Sequence, residues 1–404
     1  MSGRKALLLI LVAGLALRLG YALRTAQKTS SLPDPDDYCG LALSFARDGS
    51  LSLDGRLTAH REPAYPIALG LAFLALGATL KAGLALNLLA SMLSLLLIYD
   101  LGRRLFDERS ALAAAAIAAL YPPFIFYAAQ LRRETWMVFV TLLGLWALCS
   151  AQQAGRARGF ALAGLANALG PLSNIVFLPF GLLVAPALAW WSHRRQKRPA
   201  AALTAAYLAC FLALCGLWPL RNRIELGRFY LGGSGGGWAN LYDYLVVPEN
   251  LGGTPRQTAL LAADPVVKKG DSLDPIARDR WYFEAGLRFI KRHPARYARL
   301  LLWRCLDFWR PWPRPRPYPL PYWLLKAIGL FSDAWIIPLG WLAILCLRAW
   351  TPERLWLLGF GTSVSAVYIA VFTMNRYRLP VMPMLILFAA AALVRAVEAL
   401  RRAI

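Results

Sequence analysis

The 404-residue chain is 58% hydrophobic and only 17% charged, with a mean hydropathy of +0.46, a balance that excludes an ordinary water-soluble globular protein. A formal net charge of +23 would suggest nucleic acid in a soluble protein, but much of the Lys and Arg here falls in short loops between apolar spans, where it sets topology; no nucleic-acid partner is expected. Six cysteines, most within apolar spans, do not make a disulfide framework, although Cys39 and Cys305 could share a compartment.

Ala6 to Leu23, preceded by Arg4 and Lys5, has about the length needed to cross a hydrocarbon core of roughly 30 Å. No small-residue cleavage site follows, which argues against a signal peptide and for a first span with a cytoplasmic N-terminus. The loop at residues 24–66 is then outside. It is the first long polar interruption, it concentrates acidic groups beside the membrane, and Tyr38 to Ala46 within it predicts a short interfacial helix with Leu41 and Phe45 facing lipid. Ala64 to Leu80, broken by Gly70 and Gly77, reads as re-entrant or interfacial, since a full crossing would put Arg103, Arg104 and Arg109 outside. Ala82 to Leu101, Ala111 to Tyr127 and Thr135 to Cys149 cross. Phe160 to Leu172 and Ile175 to Trp191 form a hairpin with PLSN at its outer corner, and SHRRQKR at Ser192 to Arg198 is a cytoplasmic anchor rather than a lipid-binding site.

Ala201 to Leu220 crosses outward into a long polar segment that should carry a small soluble domain. Its LGGSGGGWANLYDY lacks the Lys-Ser/Thr ending of a P-loop and reads as a flexible loop near the active site. Asp274 to Trp309, with Trp281, Phe289, Tyr297, Leu300 and Leu301 among Arg and Lys, suits one or two surface helices. PWPRPRPYPLP at Pro311 to Pro321 is a stiff connector. Ile328 to Leu347, Leu355 to Thr373 and Leu379 to Val397 bring the total to about ten crossings with both termini inside. The expected protein is an all-α integral membrane protein: an N-terminal transmembrane module over residues 1–220, a small mixed outer domain over 221–322 and C-terminal transmembrane helices over 323–404. No internal repeat is evident, which weakens a transporter built from inverted halves.

Seven arginines break the charge rule by sitting against outer span ends: Arg61, Arg132, Arg133, Arg221, Arg223, Arg376 and Arg378. Guanidinium groups suit bidentate binding of a phosphate such as that of a lipid-linked donor; headgroup contact or a local carboxylate explains any one of them as well, and recurrence at four span ends tilts the set. The acids are Asp34, Asp36 and Asp37 in DPDDY, and Glu134. An ionised carboxylate beside the bilayer is a functional-site hypothesis. Against it stand a solvated turn around Pro33 and Pro35 and, for Glu134, an ordinary acid at a helix N-terminus. His60, His193 and His293 have no metal-binding spacing, and only His60 lies near these acids. The residues by themselves reach an outer-face site of carboxylates and arginines.

Four motifs then follow in order: Asp34-x-x-x-Tyr38 with LALSFARDGSL behind it; REPAYP at Arg61 to Pro66, which includes Glu62 and Tyr65; LRRETW around Glu134; and RYRLPVMPMLIL at Arg376 to Leu387, together with WPLRN at Trp218 to Asn222. In this order and placement the chain resembles bacterial membrane glycosyltransferases of the GT-C type, related to protein O-mannosyltransferases and the aminoarabinose transferase of lipid A. The resemblance implies a GT-C type bundle and an inverting transfer of one sugar from a polyprenyl-phosphate-linked donor, undecaprenyl phosphate in a bacterium. The acceptor hydroxyl would belong to a lipid, a polysaccharide or a protein at the periplasmic face of the inner membrane. By the motif match the base falls on Asp34, with Asp37 its nearest competitor. Arg61, Arg376 and Arg378 would stabilise the departing phosphate, with Arg132, Arg133 and Arg221 in reserve. Tyr38, Glu62, Tyr65 and Asn222 would complete the substrate site. Glu134 would orient it or help hold a divalent cation, Mg or Mn, as hard-cation ligation by oxygen allows.

There are two departures: PLSNIVF stands where the relatives often carry an Arg, leaving Asn174 as the local polar group, and the outer domain is short. Competing readings are a non-enzymatic carrier or flippase of lipid-linked sugars, which should show polar groups at mid-membrane depth and internal symmetry, and an assembly subunit that would tolerate loss of Asp34 and Glu134.

Overall fold

The computed structural model describes residues 2–26, 34, 36–197, 199–233, 237–247, 254–314, 320–347 and 349–403. It divides into two units, Met1–Gly232 with Trp335–Val364 and Leu379–Ile404, and Gly233–Ala334 with Ser365–Arg378.

The first unit is helical almost throughout, because apolar runs flanked by charge leave the backbone no partner in lipid but itself. Helix α1 (Gly3–Ala26) turns Leu8, Leu9, Val12 and Leu23 outward, as a lipid-facing helix should. After it come α2 (Tyr38–Asp48), a two-stranded hairpin of β1 (Ser52–Leu53) and β2 (Arg56–Leu57), and α3 (Ala64–Leu76). The hairpin pairs Ser52 with Leu57 and Leu53 with Arg56. Its two-residue turn is Asp54-Gly55, both at positive φ, the geometry that matches the twist of paired strands. Helix α4 (Leu80–Leu105) starts on Thr79, whose hydroxyl accepts from the Ala82 amide, a side-chain cap. Then come α5 (Glu108–Leu120), α6 (Pro122–Ala128), α7 (Glu134–Ala154), α8 (Ala157–Ser173), a 3-10 turn at Ile175–Phe177, a π-type turn at Phe180–Val184, α9 (Ala185–Arg195) and α10 (Ala200–Glu225). Helix α8 packs on α7 and α10, α4 on α5 and α7, and α18 (Met382–Ala403) on α5. Small residues set these distances: a Cβ at Gly164 would sit 2.2 Å from the Tyr207 carbonyl oxygen of α10, so glycine alone permits that approach.

Among the described residues, eight helices are long and apolar enough to cross a membrane, or nine if α5 and α6 count as one bent span. The protein is a multi-pass membrane protein. Helix α8, at 17 residues, is not among these helices, so eight or nine of the ten expected crossings are found among the described residues. Helix α3 is a short apolar helix.

Several expectations need correction. The span read as continuous from Ala111 to Tyr127 is broken at Tyr121 and bends by 56°. Pro122 forces the preceding residue into an extended conformation and Pro122-Pro123 offer no amides, so the helix ends and restarts. Arg18, fully buried, fills the gap by donating to the Ala118 and Ala119 carbonyls at 3.1 and 2.8 Å and to Ser91 Oγ at 2.7 Å. Leu41 does not face lipid: it is 1% exposed and packs with Leu51, Ala59, Leu172 and Trp218.

The second unit holds α11 (Gly237–Val246), α12 (Pro255–Ala263), α13 (Pro265–Asp271), α14 (Pro275–Arg292) and α15 (Pro294–Phe308). The GWANLYDY half of the stretch read as a flexible loop is thus helix, its Leu241 and Leu245 buried with Leu300. No strand occurs in this unit among the described residues, so the segment expected to be mixed is helical there. Asp274 to Trp309 does form two helices, α14 and α15. Five residues of the Pro-rich connector, 315–319, lie outside the described set. The last helices are α16 (Tyr322–Leu345), α17 (Pro352–Val371) and α18.

Candidate active site at the start of helix α2

Asp37 stands immediately before α2. It adopts φ 62°, a left-handed conformation that non-glycine residues take at a cost and that clusters at functional sites. Asp34 lies over the helix start, where its Oδ1 accepts from the Cys39 amide at 2.9 Å and its Oδ2 from the Gly40 amide at 2.6 Å. Two of the amides that the helix leaves unsatisfied are thereby met by one carboxylate. The Cys39 thiol is pushed up to about 12 by burial and by the Asp34 charge, which leaves it unreactive.

Helix α2 lies on α3 at Gly70, where a Cβ would come within 2.7 Å of Phe45 Cδ1 and 2.9 Å of the Ala42 carbonyl oxygen. That contact brings REPAYP against the acidic turn. Tyr38 and Tyr65, both buried, meet edge to face with centroids 5.2 Å apart, a contact that stabilises by about 1 kcal/mol beyond area burial. Arg61 holds its guanidinium 5.7 Å from the Tyr38 ring centroid, donates from Nε to the Asp36 carbonyl at 3.0 Å and reaches Asp37 Oδ2 at 3.9 Å. His60 Nε2 lies 3.0 Å from the same Asp37 oxygen.

LRRETW joins from the α6–α7 connection. Arg132 pairs with Asp36 Oδ2 at 3.2 Å. Arg133 donates to Glu62 Oε2 at 2.7 Å and to the Ser173 carbonyl at 3.1 Å, and the buried Glu62 also accepts from the Ile175 amide at 3.2 Å. Glu134 is buried at the first position of α7, where the helix dipole favours an acid. Around the Tyr38 hydroxyl these charges compete: burial raises its pKa, Arg133 and Arg61 oppose the rise, and Glu62 and Glu134 add to it.

The other expected residues play different parts. Arg221 is a strap, donating to the Thr58 carbonyl at 2.9 Å and the Leu51 carbonyl at 3.4 Å, pairing with Glu225 and lying 5.3 Å from the Trp218 ring centroid. It therefore holds both ends of the β-hairpin. Asn222, fully buried, donates to the Tyr230 carbonyl. Asn174 caps the turn after α8, accepting from Val176. Arg376 and Arg378 belong to the second unit. Arg376 stacks 5.4 Å from the Tyr377 centroid, and the buried Arg378 pairs with Asp333 and donates to the Phe308 and Arg310 carbonyls.

No group of three or more His, Cys, Asp or Glu among the described residues is placed to hold a metal ion. Glu134 instead lines a cavity of about 10 Å³ with Arg18, Ser91, Ser94, Tyr127 and Thr135, room for about one water. The arrangement does not fit the cation suggested at Glu134, and no step is derived through one.

Some residues at the site escaped the sequence reading. Tyr65 donates to Asn87 Oδ1 at 3.4 Å, and Asn87 donates to the Gln130 carbonyl, tying α3 and α4 to the connection that carries Arg132 and Arg133. Trp136 donates to Ser173 Oγ at 3.0 Å. The signal for the first was there: Asn87, Ser91 and Ser94 fall at helical spacing on one face of an apolar span, and Arg18 is a charge inside another.

Residues 61–219 match the family model of dolichyl-phosphate-mannose-protein mannosyltransferase. An oligosaccharyltransferase from Archaeoglobus fulgidus, solved with zinc and sulfate, overlays with a TM-score of 0.59 at 16% identity, covering 98% of this chain and 49% of that one. This protein has the GT-C fold. The archaeal oligosaccharyltransferase AglB of the same organism, in complex with an inhibitory peptide and a dolichol-phosphate, overlays at a TM-score of 0.56 and 17% identity, covering 100% and 52%. ArnT from Cupriavidus metallidurans bound to undecaprenyl phosphate gives 0.43 at 14% identity, covering 98% and 77%, a score too low to bear on the fold. The chain spans about half the length of the archaeal proteins it matches. A comparison with curated protein sequences gave no match.

Proposed function

We propose that the protein is an inverting glycosyltransferase that moves one sugar from a polyprenyl-phosphate-linked donor to an acceptor hydroxyl at the periplasmic face of a bacterial inner membrane. The observation that carries this reading is the meeting, in one unit, of three motifs distant in sequence. Around the buried Tyr38, acids (Asp34, Asp36, Asp37, Glu62, Glu134) alternate with arginines (Arg61, Arg132, Arg133). Such a site can do two things that the reaction needs. A proton is taken from the acceptor hydroxyl on the side of the Asp34–Asp37 turn as its oxygen bonds to the anomeric carbon. On the opposite face the sugar–phosphate bond breaks, and its electron pair passes to a phosphate oxygen stabilised by guanidinium groups. One in-line displacement inverts the carbon. Arg61 is the guanidinium least committed to a carboxylate at the site, while Arg132 and Arg133 would exchange Asp36 and Glu62 for the phosphate.

The similarity to a protein solved with dolichol-phosphate supports a polyprenyl-phosphate carrier. The test is transfer by the purified chain in nanodiscs, with radiolabelled polyprenyl-phosphate sugars and an envelope extract as acceptor. Neutralising the turn, Asp34→Asn with Asp37→Asn, should lower transfer at least ~10²-fold with lipid binding retained. Wild-type rates in that variant would remove the chemistry from the turn. A wild type that binds the lipids but transfers from none would favour a carrier.

A further inference from the structure

Three carboxylates crowd the turn, and their surroundings divide them. Asp34 has both oxygens on the amides of the α2 N-terminus, the place of a structural cap. Asp36 is paired with Arg132. Asp37 is half-exposed and holds an imidazole: its Oδ2 stands 3.0 Å from His60 Nε2, with Arg61 behind it at 3.9 Å. Asp37 is in the left-handed conformation, and its carboxylate meets His60 rather than capping the helix.

We infer that His60, oriented by Asp37, is the general base that deprotonates the acceptor. This rests on the glycosyltransferase reading and refines it by moving the base from Asp34 to the imidazole. With Nε2–H donating to the ionised Asp37, the tautomer is fixed and the Nδ1 lone pair is the basic one; Nδ1 has no hydrogen-bond partner among the described residues. The His60 backbone amide is anchored on Thr58 Oγ1 at 3.1 Å, and the Thr58 carbonyl is strapped by Arg221, so the ring is carried on a fixed segment. The step balances. The acceptor O–H proton passes to Nδ1, the freed pair forms the bond to the anomeric carbon, and the sugar–phosphate bond breaks with its pair on the phosphate. The imidazolium is held by the Asp37 carboxylate, and its proton leaves from Nδ1 to solvent, to which the side chain is partly exposed. The charged groups that bear on His60 are Arg61, which disfavours the imidazolium, and Asp37 and Glu62, which favour it; burial, the largest influence, lowers its pKa. The ring is therefore neutral and ready at neutral pH. Asp37 is a positioning residue, and Asp34 keeps the turn in place.

The experiment uses the full chain in nanodiscs with a polyprenyl-phosphate sugar it transfers from. His60→Gln keeps a hydrogen-bonding group beside Asp37 but no base, and should lower kcat about 10²-fold or more with the KM for the donor little changed. The wild-type rate should fall as pH drops through the imidazole range, because the base must be unprotonated, and His60→Gln should lose that limb. Added imidazole should restore part of the rate to His60→Ala, which a packing role would not allow. Asp34→Asn, which leaves the imidazole in place, should keep the acid limb that His60→Gln loses. An acid limb and rate unchanged in His60→Gln, or a loss confined to Asp34→Asn, overturns the dyad and leaves the transferase reading intact. A wild type that transfers from no donor overturns both.

Discussion

Two regions of this molecule use the same residue types to opposite ends. At the start of α2, aspartates and arginines pair across sequence distances of up to about a hundred residues, yet stay partly open: the Asp37 side chain is 48% exposed and those of His60 and Arg61 are 31% and 24% exposed. In the second unit two charge clusters are closed in. Arg378 and Asp333 are 4% and 5% exposed, and Asp307 is taken at once by Arg310 and Arg314. A buried pair with every donor met by a carboxylate or carbonyl fixes a fold, since removing either partner strands a charge. A half-open pair gives up one partner to a substrate at little cost. Arginine at a span end is therefore not a phosphate site by itself; what its guanidinium already touches decides.

That contrast can be broken by substitution. The largest effect on stability is expected from Arg378→Met, which takes the guanidinium away from the buried Asp333. It should destabilise by about 3–5 kcal/mol, read as a fall in thermal unfolding temperature in detergent, and Asp333→Leu added to it should recover much of the loss. If the single change costs under about 1 kcal/mol, the closed reading of that pair is wrong. Glu62→Gln comes next. It weakens the bond to Arg133 but keeps an acceptor for Ile175, so about 2 kcal/mol is expected, with transfer falling as Arg133 shifts.

Arg221→Lys should cost about 1–2 kcal/mol through the lost hairpin carbonyl bonds, with limited proteolysis between Leu51 and Thr58 as the readout. An unchanged cleavage rate there would dismiss the strap. Smallest is Asp243→Asn in the second unit. Burial, with Asp271 nearby, pushes the Asp243 carboxyl from 3.8 up to about 6. The native chain then binds more protons than the unfolded one between those values, and stability falls as pH rises through that window. Asparagine removes the effect. It should stabilise above pH ~6 by on the order of 1 kcal/mol after solvent screening and add nothing near pH ~4. A gain independent of pH would point to packing instead.

The sequence carried the spans well because lipid imposes one requirement on every residue of a crossing helix, and a run of apolar side chains records it directly. It failed where one residue acts at a distance. Pro122-Pro123 are plain in the sequence, but the break they make is sustained by Arg18, a hundred residues earlier. Likewise, apolar periodicity places Leu41 on a buried face but does not say what buries it; Leu51, Ala59, Leu172 and Trp218, most of them distant in sequence, are what cover it. The Gly-rich stretch misled because only neighbours in space, Leu300 among them, make GWANLYDY a helix worth forming.

The amino-acid order by itself determined the membrane class and the helix count to within one or two, for both are written in local composition and spacing. Only the tertiary structure decided which charges stand open. Asp34 and Asp37 are the same residue three positions apart, and nothing local tells them apart. One carboxylate meets the amides of α2 and the other His60, twenty-three residues away, and the fold decides this because a carboxylate's chemistry is set by the donors around it and those arrive only with the fold.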